Sequence, residues 1–388
     1  MARARALWLA LLAIACAEER ETPAPRPEPP RPRAPIASSR PIAEAGAFAL
    51  VPVGEGALLV YGAPYSAGGG VRALPLGALG EATGRESLVV SRGAAAGGPI
   101  ERRVGHAVEV EAAAIGRRVG IAWVLDHGEW LETQAAWSAD GGLTFSAPLD
   151  LGPSVRLERD RRGRLSMSAS DELGLALHHR AADGPCVANR GTCALLDRVV
   201  LGSDAGEARR GSMPLEIQHP CDPLVSGSIA HGGTSYYAIC HEAPEPRTLV
   251  YVIRPDVTYA AAIDSPDGCV PAGIAPLDEG VAAVMRCGET GSALVLDAMG
   301  RERARIEPVV REASCRDGRP VLRMGAHALR LGAAQDRLEA LLPESIAPPG
   351  ARAIWTGEAL LVATPVGRDV SLHRYQCVRG RLERTDLP

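Results

Sequence analysis

The stretch that decides the fold is Trp137-Ser138-Ala139-Asp140-Gly141-Gly142-Leu143-Thr144-Phe145. Ser138 and Asp140 carry short side chains whose oxygen atoms can accept hydrogen bonds from the backbone amides of a tight turn. Gly142 can take a left-handed or crowded backbone position that a residue with a Cβ resists. Phe145 can restart a strand and bury its ring. These residues predict a hairpin in which side chains stabilise the turn between two strands.

The same residues follow the pattern Ser-x-Asp-x-Gly-x-Thr-aromatic. This pattern resembles the Asp box of the sialidase and neuraminidase superfamily, with Phe145 where the family usually has Trp. The resemblance implies a β-propeller of four-stranded blades, with the box as a structural turn away from the catalytic face. The residues that would form this turn are Ser138, Asp140, Gly142, Thr144 and Phe145. A chance turn in a glycine-rich chain is the alternative.

The rest of the chain consists mainly of short apolar runs separated by turns that contain Gly and Asp, a pattern typical of all-β folds. Examples are residues 47–51, 118–125, 234–240, 281–287 and 359–364. We therefore expect an all-β, six- or seven-bladed β-propeller, with a large β-sandwich or two β domains as alternatives. The chain divides into seven units, or six if the first and last share a blade. The units begin near Gly46, Gly105, Val155, Gly206, Gly268, Val310 and Gly350.

One segment, residues 329–342, comes closest to a helical pattern. Its apolar residues that would share one helical face are Leu331, Ala334, Leu338 and Leu341. The segment contains Gly332 and equally fits two short strands around residues 334–336. We expect either a helix or a pair of strands there.

The N-terminus predicts a secretory signal. Two arginines in residues 1–5 precede the apolar run 6–14, which as a helix would rise about 14 Å, less than a hydrocarbon core of about 30 Å. Residues 1–15 therefore predict a signal peptide and not a membrane span. Ala13-Ile14-Ala15-Cys16 resembles the lipobox of bacterial lipoprotein precursors, with Ala13 where the family prefers Leu. The resemblance implies a diacylglyceryl group on Cys16; an ordinary cleavage near Cys16 is the alternative.

A proline-rich tract follows the predicted anchor. Residues 17–42 contain eight prolines among Glu, Arg, Ser and Ala, a composition that cannot bury enough apolar surface to fold. Such a tract favours an extended spacer that could reach about 80 Å at about 3.1 Å per residue. We predict a signal peptide at 1–15, the lipidated cysteine with its disordered linker at 16–42, and the β-propeller domain at 43–388.

The cysteine count predicts disulfides. The chain has nine cysteines, and setting Cys16 aside leaves eight, an even number in an exported chain. A zinc site would need closer cysteine or histidine spacing than any found here apart from Cys240-His241. Sequence alone does not fix the pairing, and we predict that sequential neighbours are bonded: Cys186–Cys193, Cys221–Cys240, Cys269–Cys287 and Cys315–Cys377.

Catalytic signals are weak. The family resemblance implies a tyrosine nucleophile beside a Glu, with arginines that clamp a substrate carboxylate. The family's Arg-Ile-Pro motif is missing, and no phosphate loop or dinucleotide fingerprint is present, so no catalytic residue, metal or cofactor is assigned. Tyrosines that could serve an enzyme are Tyr236, Tyr237, Tyr251, Tyr259 and Tyr375.

The sequence therefore predicts where the protein acts better than what it does. We expect a secreted lipoprotein of the bacterial cell envelope, on the outer membrane or the periplasmic face, bound to membrane lipid through Cys16. Its domain is expected to be a non-catalytic binding or scaffold module for an envelope protein or a glycan. A divergent sialidase-like glycoside hydrolase is the alternative. The net charge of −4 argues against a nucleic-acid partner.

Overall fold

A computed structural model gives the fold of the chain from residue 40 onward, with gaps. The predicted signal peptide, Cys16 and linker residues 17–39 lie outside the described residues. The described residues are 40–44, 47–63, 70–90, 106–127, 129–154, 164–171, 174–185, 192–202, 209–210, 215–217, 220–224, 229–241, 247–254, 258–264, 269–287, 290–332, 334–385 and 387.

The described residues form β-strands and one short 3-10 turn, Leu338–Ala340. The strands are β1 (Arg40–Glu44), β2 (Phe48–Val53), β3 (Gly56–Gly62), β4 (Val71–Leu76), β5 (Ser87–Val90), β6 (His106–Ile115), β7 (Arg118–Asp126), β8 (Leu131–Ser138), β9 (Leu149–Pro153), β10 (Leu165–Ser170), β11 (Gly174–Pro185), β12 (Thr192–Leu201), β13 (Arg209–Arg210), β14 (Leu215–Ile217), β15 (Pro220–Leu224), β16 (Ile229–His231), β17 (Thr234–His241), β18 (Arg247–Ile253), β19 (Thr258–Asp264), β20 (Cys269–Leu277), β21 (Gly280–Cys287), β22 (Thr290–Leu296), β23 (Glu302–Ile306), β24 (Arg311–Arg316), β25 (Arg319–Met324), β26 (His327–Arg330), β27 (Arg352–Trp355), β28 (Leu360–Val366), β29 (Asp369–Val378) and β30 (Arg381–Thr385).

These strands form seven antiparallel sheets, which we number as blades in chain order. Blades 1 and 2 are β2–β5 and β6–β9, blades 3 and 4 are β10–β14 and β15–β19, and blades 5 and 6 are β20–β23 and β24–β26. Blade 7 combines β27–β30 with β1. Each blade contacts the next, and β27 of blade 7 contacts β2 of blade 1. The described residues thus close a ring of seven sheets, which confirms the predicted all-β propeller and favours seven blades over six.

Strand β2 shows why the sheets stack as blades. Its residues Ala49 and Val51 pack in a buried cluster with blade 2, whereas Phe48 and Leu50 pack in another with blade 7. Successive side chains of a strand point to opposite faces of the sheet. A strand covered on both faces therefore needs apolar residues at every position, which explains the continuous apolar runs in the sequence.

The first strands of neighbouring blades line the centre of the ring, as the contacts of β6 with β2 and with β10 illustrate. Blade 6 departs from this plan. Its strand β24 contacts the outer strand β30 of blade 7, and its strand β26 contacts β20 of blade 5. The chain therefore enters blade 6 at the rim and runs inward.

Residues 331–350, called here the inner segment (residue 333 is not described), fill the central position of blade 6. The 3-10 turn of this segment contacts β20 and β27, and its leucines Leu338, Leu341 and Leu342 are fully buried. The expected helix or strand pair over 329–342 is wrong. The structure has the end of β26 and a single 3-10 turn, because these leucines pack into the core shared by blades 5, 6 and 7.

Both ends of the domain meet on one strand. Strand β1 pairs with residues 369–372 of β29, and β30 pairs with residues 374–378 of the same strand. Strand β1 begins at Arg40, so the sheet includes the last residues of the predicted linker. The ring is thus closed by pairing between the two ends of the described chain.

Two of the predicted disulfides are present. Cys315 of β24 bonds to Cys377 of β29 and joins blade 6 to blade 7, and Cys269 bonds to Cys287 within blade 5. The other two pairs, Cys186–Cys193 and Cys221–Cys240, lie outside the described side chains. Disulfides persist in oxidising compartments, so the two bonds indicate an extracellular or envelope location. Among the described residues, no helix has the length and hydropathy of a membrane span.

Candidate functional site

The turn after β8 is held by its own side chains. Ser138 Oγ accepts a hydrogen bond from the amide of Gly142 at 2.8 Å, and Asp140 Oδ1 accepts one from the amide of Leu143 at 3.0 Å. Asp140 also accepts from the amide of Thr144 at 3.0 Å and from its hydroxyl at 2.6 Å. The bonds from the Thr144 hydroxyl and amide lower the pKa of Asp140 to about 2. The carboxylate of Asp140 therefore accepts its hydrogen bonds within the turn.

The turn also fits tightly against the neighbouring blade. Gly142 has a φ of +88°, and a Cβ placed there would lie 2.7 Å from a methyl carbon of Leu58 in blade 1. The carbonyl of Gly142 accepts a hydrogen bond from Ser87 Oγ at 2.8 Å. Phe145 packs against the core between blades 1 and 2, but it does not restart a strand. Residues 141–148 form bends and irregular backbone, and the next strand begins at Leu149.

An open groove of about 550 Å³ lies beside this turn. It is lined by the first hairpin turns of blades 7, 1 and 2, which contribute the charged residues Glu358, Glu55 and Arg117. Arg117 donates a hydrogen bond to the carbonyl of Asp140 at 2.9 Å. The groove combines backbone polar groups with the apolar side chain of Leu143, a mixture that suits a polar ligand with apolar surface.

A different arrangement occupies the centre of the ring. Glu111 of β6 accepts hydrogen bonds from Arg337 of the inner segment at 2.9 Å and from Arg352 of β27 at 2.8 Å. Arg337 also donates to the carbonyl of Met167 in β10 at 2.8 Å. Blades 2 and 7 are not neighbours, so these bonds cross the ring axis. We call Glu111, Arg337 and Arg352 the axial cluster.

The axial cluster is buried and electrically matched. The side chains of Glu111, Arg337 and Arg352 are 2%, 7% and 11% exposed. Burial opposes the charge on Arg337, but the surrounding carboxylates, led by Glu111, raise its pKa. A buried charge is stable only when it is paired and hydrogen-bonded. These guanidinium groups are therefore engaged by the protein itself.

Two more acids lie next to the axial cluster in the inner segment. Burial raises the pKa of Asp336 and of Glu339 above the ordinary carboxyl range. Glu339 accepts a hydrogen bond from the amide of Ala353 at 3.1 Å, and its other oxygen lies 3.8 Å from Arg352. The inner segment thus brings both acids and a base to the ring centre.

The described tyrosines that the sequence offered for catalysis do not join the axial cluster. Tyr236 is fully buried and donates its hydroxyl hydrogen bond to the carbonyl of Asp297 at 3.0 Å. Burial raises the pKa of Tyr251 and of Tyr375. The side chains of the other two candidates, Tyr237 and Tyr259, lie outside the described part of the chain.

A tyrosine beside a glutamate does occur elsewhere. Tyr61 donates a hydrogen bond to Glu86 Oε2 at 2.6 Å, and Arg72 pairs with the same carboxylate. Burial and this glutamate raise the pKa of Tyr61, which opposes formation of a nucleophilic phenolate. Tyr61 lies in the second strand of blade 1 and contributes to the core between blades 7 and 1.

Sequence reasoning missed the axial cluster. Glu109 and Glu111 lie two positions apart among apolar residues of β6. Acids with this spacing are also typical of a strand that exposes one face to solvent. Glu109 is itself buried and accepts hydrogen bonds from the amides of Arg164 and Leu165 at 3.0 and 3.1 Å. The available signal for buried acids was the pair Glu109 and Glu111, two positions apart in a strand that the fold buries on both faces. Among the described residues, no group of three or more His, Cys, Asp or Glu could hold a metal ion.

Comparisons with known proteins find distant similarities to solved structures. No family model and no curated protein matches the chain. Similar solved structures include a Trypanosoma rangeli sialidase with sialic acid, at 10% identity and a TM-score of 0.35, covering 87% of this chain and 58% of that one. A Burkholderia pseudomallei lectin has 11% identity and a TM-score of 0.48, with coverage of 88% and 99%.

A prolyl endopeptidase is similar at 11% identity and a TM-score of 0.41, with 89% of this chain and 51% of that one covered. The chain thus spans little more than half the length of this endopeptidase and of the sialidase. At these identities and TM-scores, none of these likenesses carries an argument about activity or ligand. The solved structures to which the chain is similar belong to proteins of several different functions.

Proposed function

We propose that the protein is a lipid-anchored, exported β-propeller that serves as a non-catalytic binding or scaffold module of the bacterial cell envelope. The observation that carries the proposal is the axial cluster. Each arginine of this cluster is buried and paired with Glu111. A guanidinium that must clamp a substrate carboxylate has to be accessible to that substrate, whereas these two are buried and hydrogen-bond Glu111.

The Asp-box-like turn supports a structural role for the residues that resemble the sialidase family. All the polar side chains of this turn bond within it. It therefore stabilises blade 2 and offers no free acid or base for chemistry. Fold likeness alone is a weak warrant for activity.

The anchor part of the proposal rests on the lipobox-like sequence that ends at Cys16 and on the disulfides of the domain. One acyl chain holds a protein at a membrane only marginally, whereas two or more hold it stably. We expect the Cys16→Ser variant to lose both membrane partitioning and incorporation of labelled fatty acid. A variant that partitions as before would contradict lipidation. The matched control is Cys269→Ser, which removes a disulfide cysteine and leaves the lipobox intact.

A divergent sialidase-like glycoside hydrolase is the second candidate, and the hydrogen-bonded turn at Ser138 and Asp140 is the observation in its favour. Incubation of the mature protein with a fluorogenic sialoside separates the two functions. The binding-module proposal expects no release of fluorophore above the buffer rate. Turnover that disappears in the Arg352→Met variant, with the fold retained by circular dichroism, would replace it with the hydrolase.

A further inference from the structure

The hairpin between β7 and β8 in blade 2 exposes an aromatic ring. Trp130 is 42% exposed, whereas Trp123 and Trp355 are buried. The ring of Trp130 stacks on that of His127, with centroids 3.9 Å apart and an angle of 17° between the planes. The His127 amide donates a hydrogen bond to the Trp130 carbonyl at 3.0 Å and closes the turn. The exposed indole is therefore held in one orientation.

A chain of hydrogen bonds ties this ring pair to the core. Trp123 Nε1 donates to Gln134 Oε1 at 3.2 Å, and Gln134 Nε2 donates to Glu132 Oε1 at 2.9 Å. The other oxygen of Glu132 lies 2.9 Å from Nε2 of His127, on which Trp130 stacks. A surface side chain with this support loses little conformational freedom when a ligand binds.

Among the described residues, those next to Trp130 on the hairpin with polar side chains are His127, Glu129 and Glu132. In the part of the chain that the structure describes, the other exposed large apolar side chains belong to other blades or, like Leu143, lie beyond the opposite end of β8, a strand about 23 Å long at about 3.3 Å per residue. A protein interface needs a contiguous apolar centre. A single aromatic face beside Glu129 and Glu132 instead suits a small ring with hydroxyl groups at its edge.

We infer that Trp130 is the stacking platform of a saccharide site on the β7–β8 hairpin, where the apolar face of a pyranose ring lies on the indole. Glu132 and His127 orient the sugar through its hydroxyl groups, since a few placed polar groups give such sites their specificity. This inference rests on the proposed binding role and names the class of ligand. It places the site at the end of blade 2 opposite the Asp-box-like turn.

Saturation-transfer NMR on the full mature protein tests the site. The probes are methyl glycosides of glucose, galactose, fucose, N-acetylglucosamine and sialic acid. We expect at least one to receive saturation on the C–H protons of one ring face, with affinity about tenfold lower in Trp130→Ala, because an aromatic contact is worth up to about 1.5 kcal/mol. Trp130→Phe should retain part of the affinity. Val366→Ala, which removes an exposed apolar side chain from the β28–β29 hairpin of blade 7, should bind as wild type.

Two results would overturn the inference: no glycoside of the panel binds, or Trp130→Ala binds like wild type while circular dichroism shows it folded. Binding of tetramethylammonium in place of the glycosides would also overturn it and assign a cation to the indole face. These outcomes are distinct from failure of the proposed function, which would appear as turnover of the fluorogenic sialoside.

Discussion

Blade 2 and blade 6 contribute to the ring centre in different ways. Blade 2 is a regular meander of four strands, and its first strand, β6, presents Glu111 to the axis. Blade 6 has three described strands, and the irregular inner segment takes the place nearest the axis. That segment carries Arg337, whose φ of +55° lies in the left-handed region that residues with a Cβ rarely adopt.

The difference between the two blades shows that the ring is built from regular blades and from one irregular segment held by specific contacts across the axis. The strands of blade 2 need only apolar faces and a good turn to pack between neighbours. The inner segment is held by contacts that reach across the axis to residues 226 positions away in the chain. Backbone conformations of this kind persist where the surroundings over-determine them. Blade 2, which is regular, supplies the acid Glu111. The irregular inner segment of blade 6 supplies the base Arg337, which pairs with this acid.

The largest expected effect comes from neutralising Glu111. The Glu111→Gln variant removes the carboxylate that hydrogen-bonds both Arg337 and Arg352 in the buried cluster, and breaking such a pair costs about 3 to 5 kcal/mol. Urea unfolding followed by fluorescence measures this loss in the free energy of unfolding. The matched control, Glu279→Gln on an exposed turn of blade 5, should change stability by less than about 0.5 kcal/mol. Equal effects of the two variants would remove the distinction between the ring centre and an ordinary surface acid.

The next effect concerns how blade 6 is fastened to blade 7. Replacing Cys315 and Cys377 by Ser releases a loop of 62 residues, which should cost about 4 kcal/mol. Replacing Cys269 and Cys287, whose separation is 18 residues, should cost about 3 kcal/mol. Chemical denaturation of both double variants compares the bond between blades with the bond within one. A greater loss for the shorter loop would contradict the account of the ring closure.

A smaller effect is expected at the turn of blade 2. Ser138→Ala removes the acceptor for the buried amide of Gly142, and an unsatisfied buried donor costs about 1 to 3 kcal/mol. Ser345→Ala, an exposed serine of the inner segment, is the control and should be neutral. Thermal unfolding of the two variants checks this. A neutral Ser138→Ala would mean that the turn does not depend on its side-chain bonds.

The smallest effects are in the pH dependence, and the two blades should differ in sign. Asp140 in blade 2 has a lowered pKa, so its stabilisation is present above the unfolded value of about 3.9 and is lost as pH falls toward about 2. Asp336 has a raised pKa, so its favourable contribution is present below about 3.9 and is lost as pH rises.

Urea midpoints at pH 7, 4 and 2.5 test this difference in sign. Relative to wild type, Asp140→Asn should be less stable at pH 7, with the deficit shrinking at pH 2.5. Asp336→Asn should gain stability relative to wild type between pH 4 and pH 7. Parallel pH profiles for the two variants would contradict the assigned environments.

Much of the fold could be predicted from the sequence, because blade strands are apolar on both faces and their turns carry Gly and Asp. Five of the seven predicted unit starts lie within two residues of the strand that opens a blade. The two that miss, Val155 and Gly206, lie ten and fourteen residues before β10 and β15. The Ser138 turn could be predicted because its hydrogen bonds are local.

The ring centre could not be predicted in the same way. Glu111, Arg337 and Arg352 come together only after the ring closes, and their spacing in the chain carries no periodic signal. The inner segment misled the prediction because its leucines have the spacing of a helical face, whereas in the structure they pack into the core shared by blades 5, 6 and 7 without forming a helix of that length. The sequence did not indicate Trp130 as a site residue either. Whether an aromatic ring in a hairpin is exposed depends on where the hairpin lies in the folded domain.

A double-mutant cycle between Glu111 and Arg337 tests most directly whether the axis is filled by the protein's own ion pairs. The single variants are Glu111→Gln and Arg337→Met, and the free energy of unfolding is measured for both, for the double variant and for wild type. Paired buried charges should give a coupling of at least about 1 kcal/mol, with the double variant losing less than the sum of the single losses. Additive losses, within about 0.3 kcal/mol, would contradict a closed axis and reopen the ring centre as a site for a ligand.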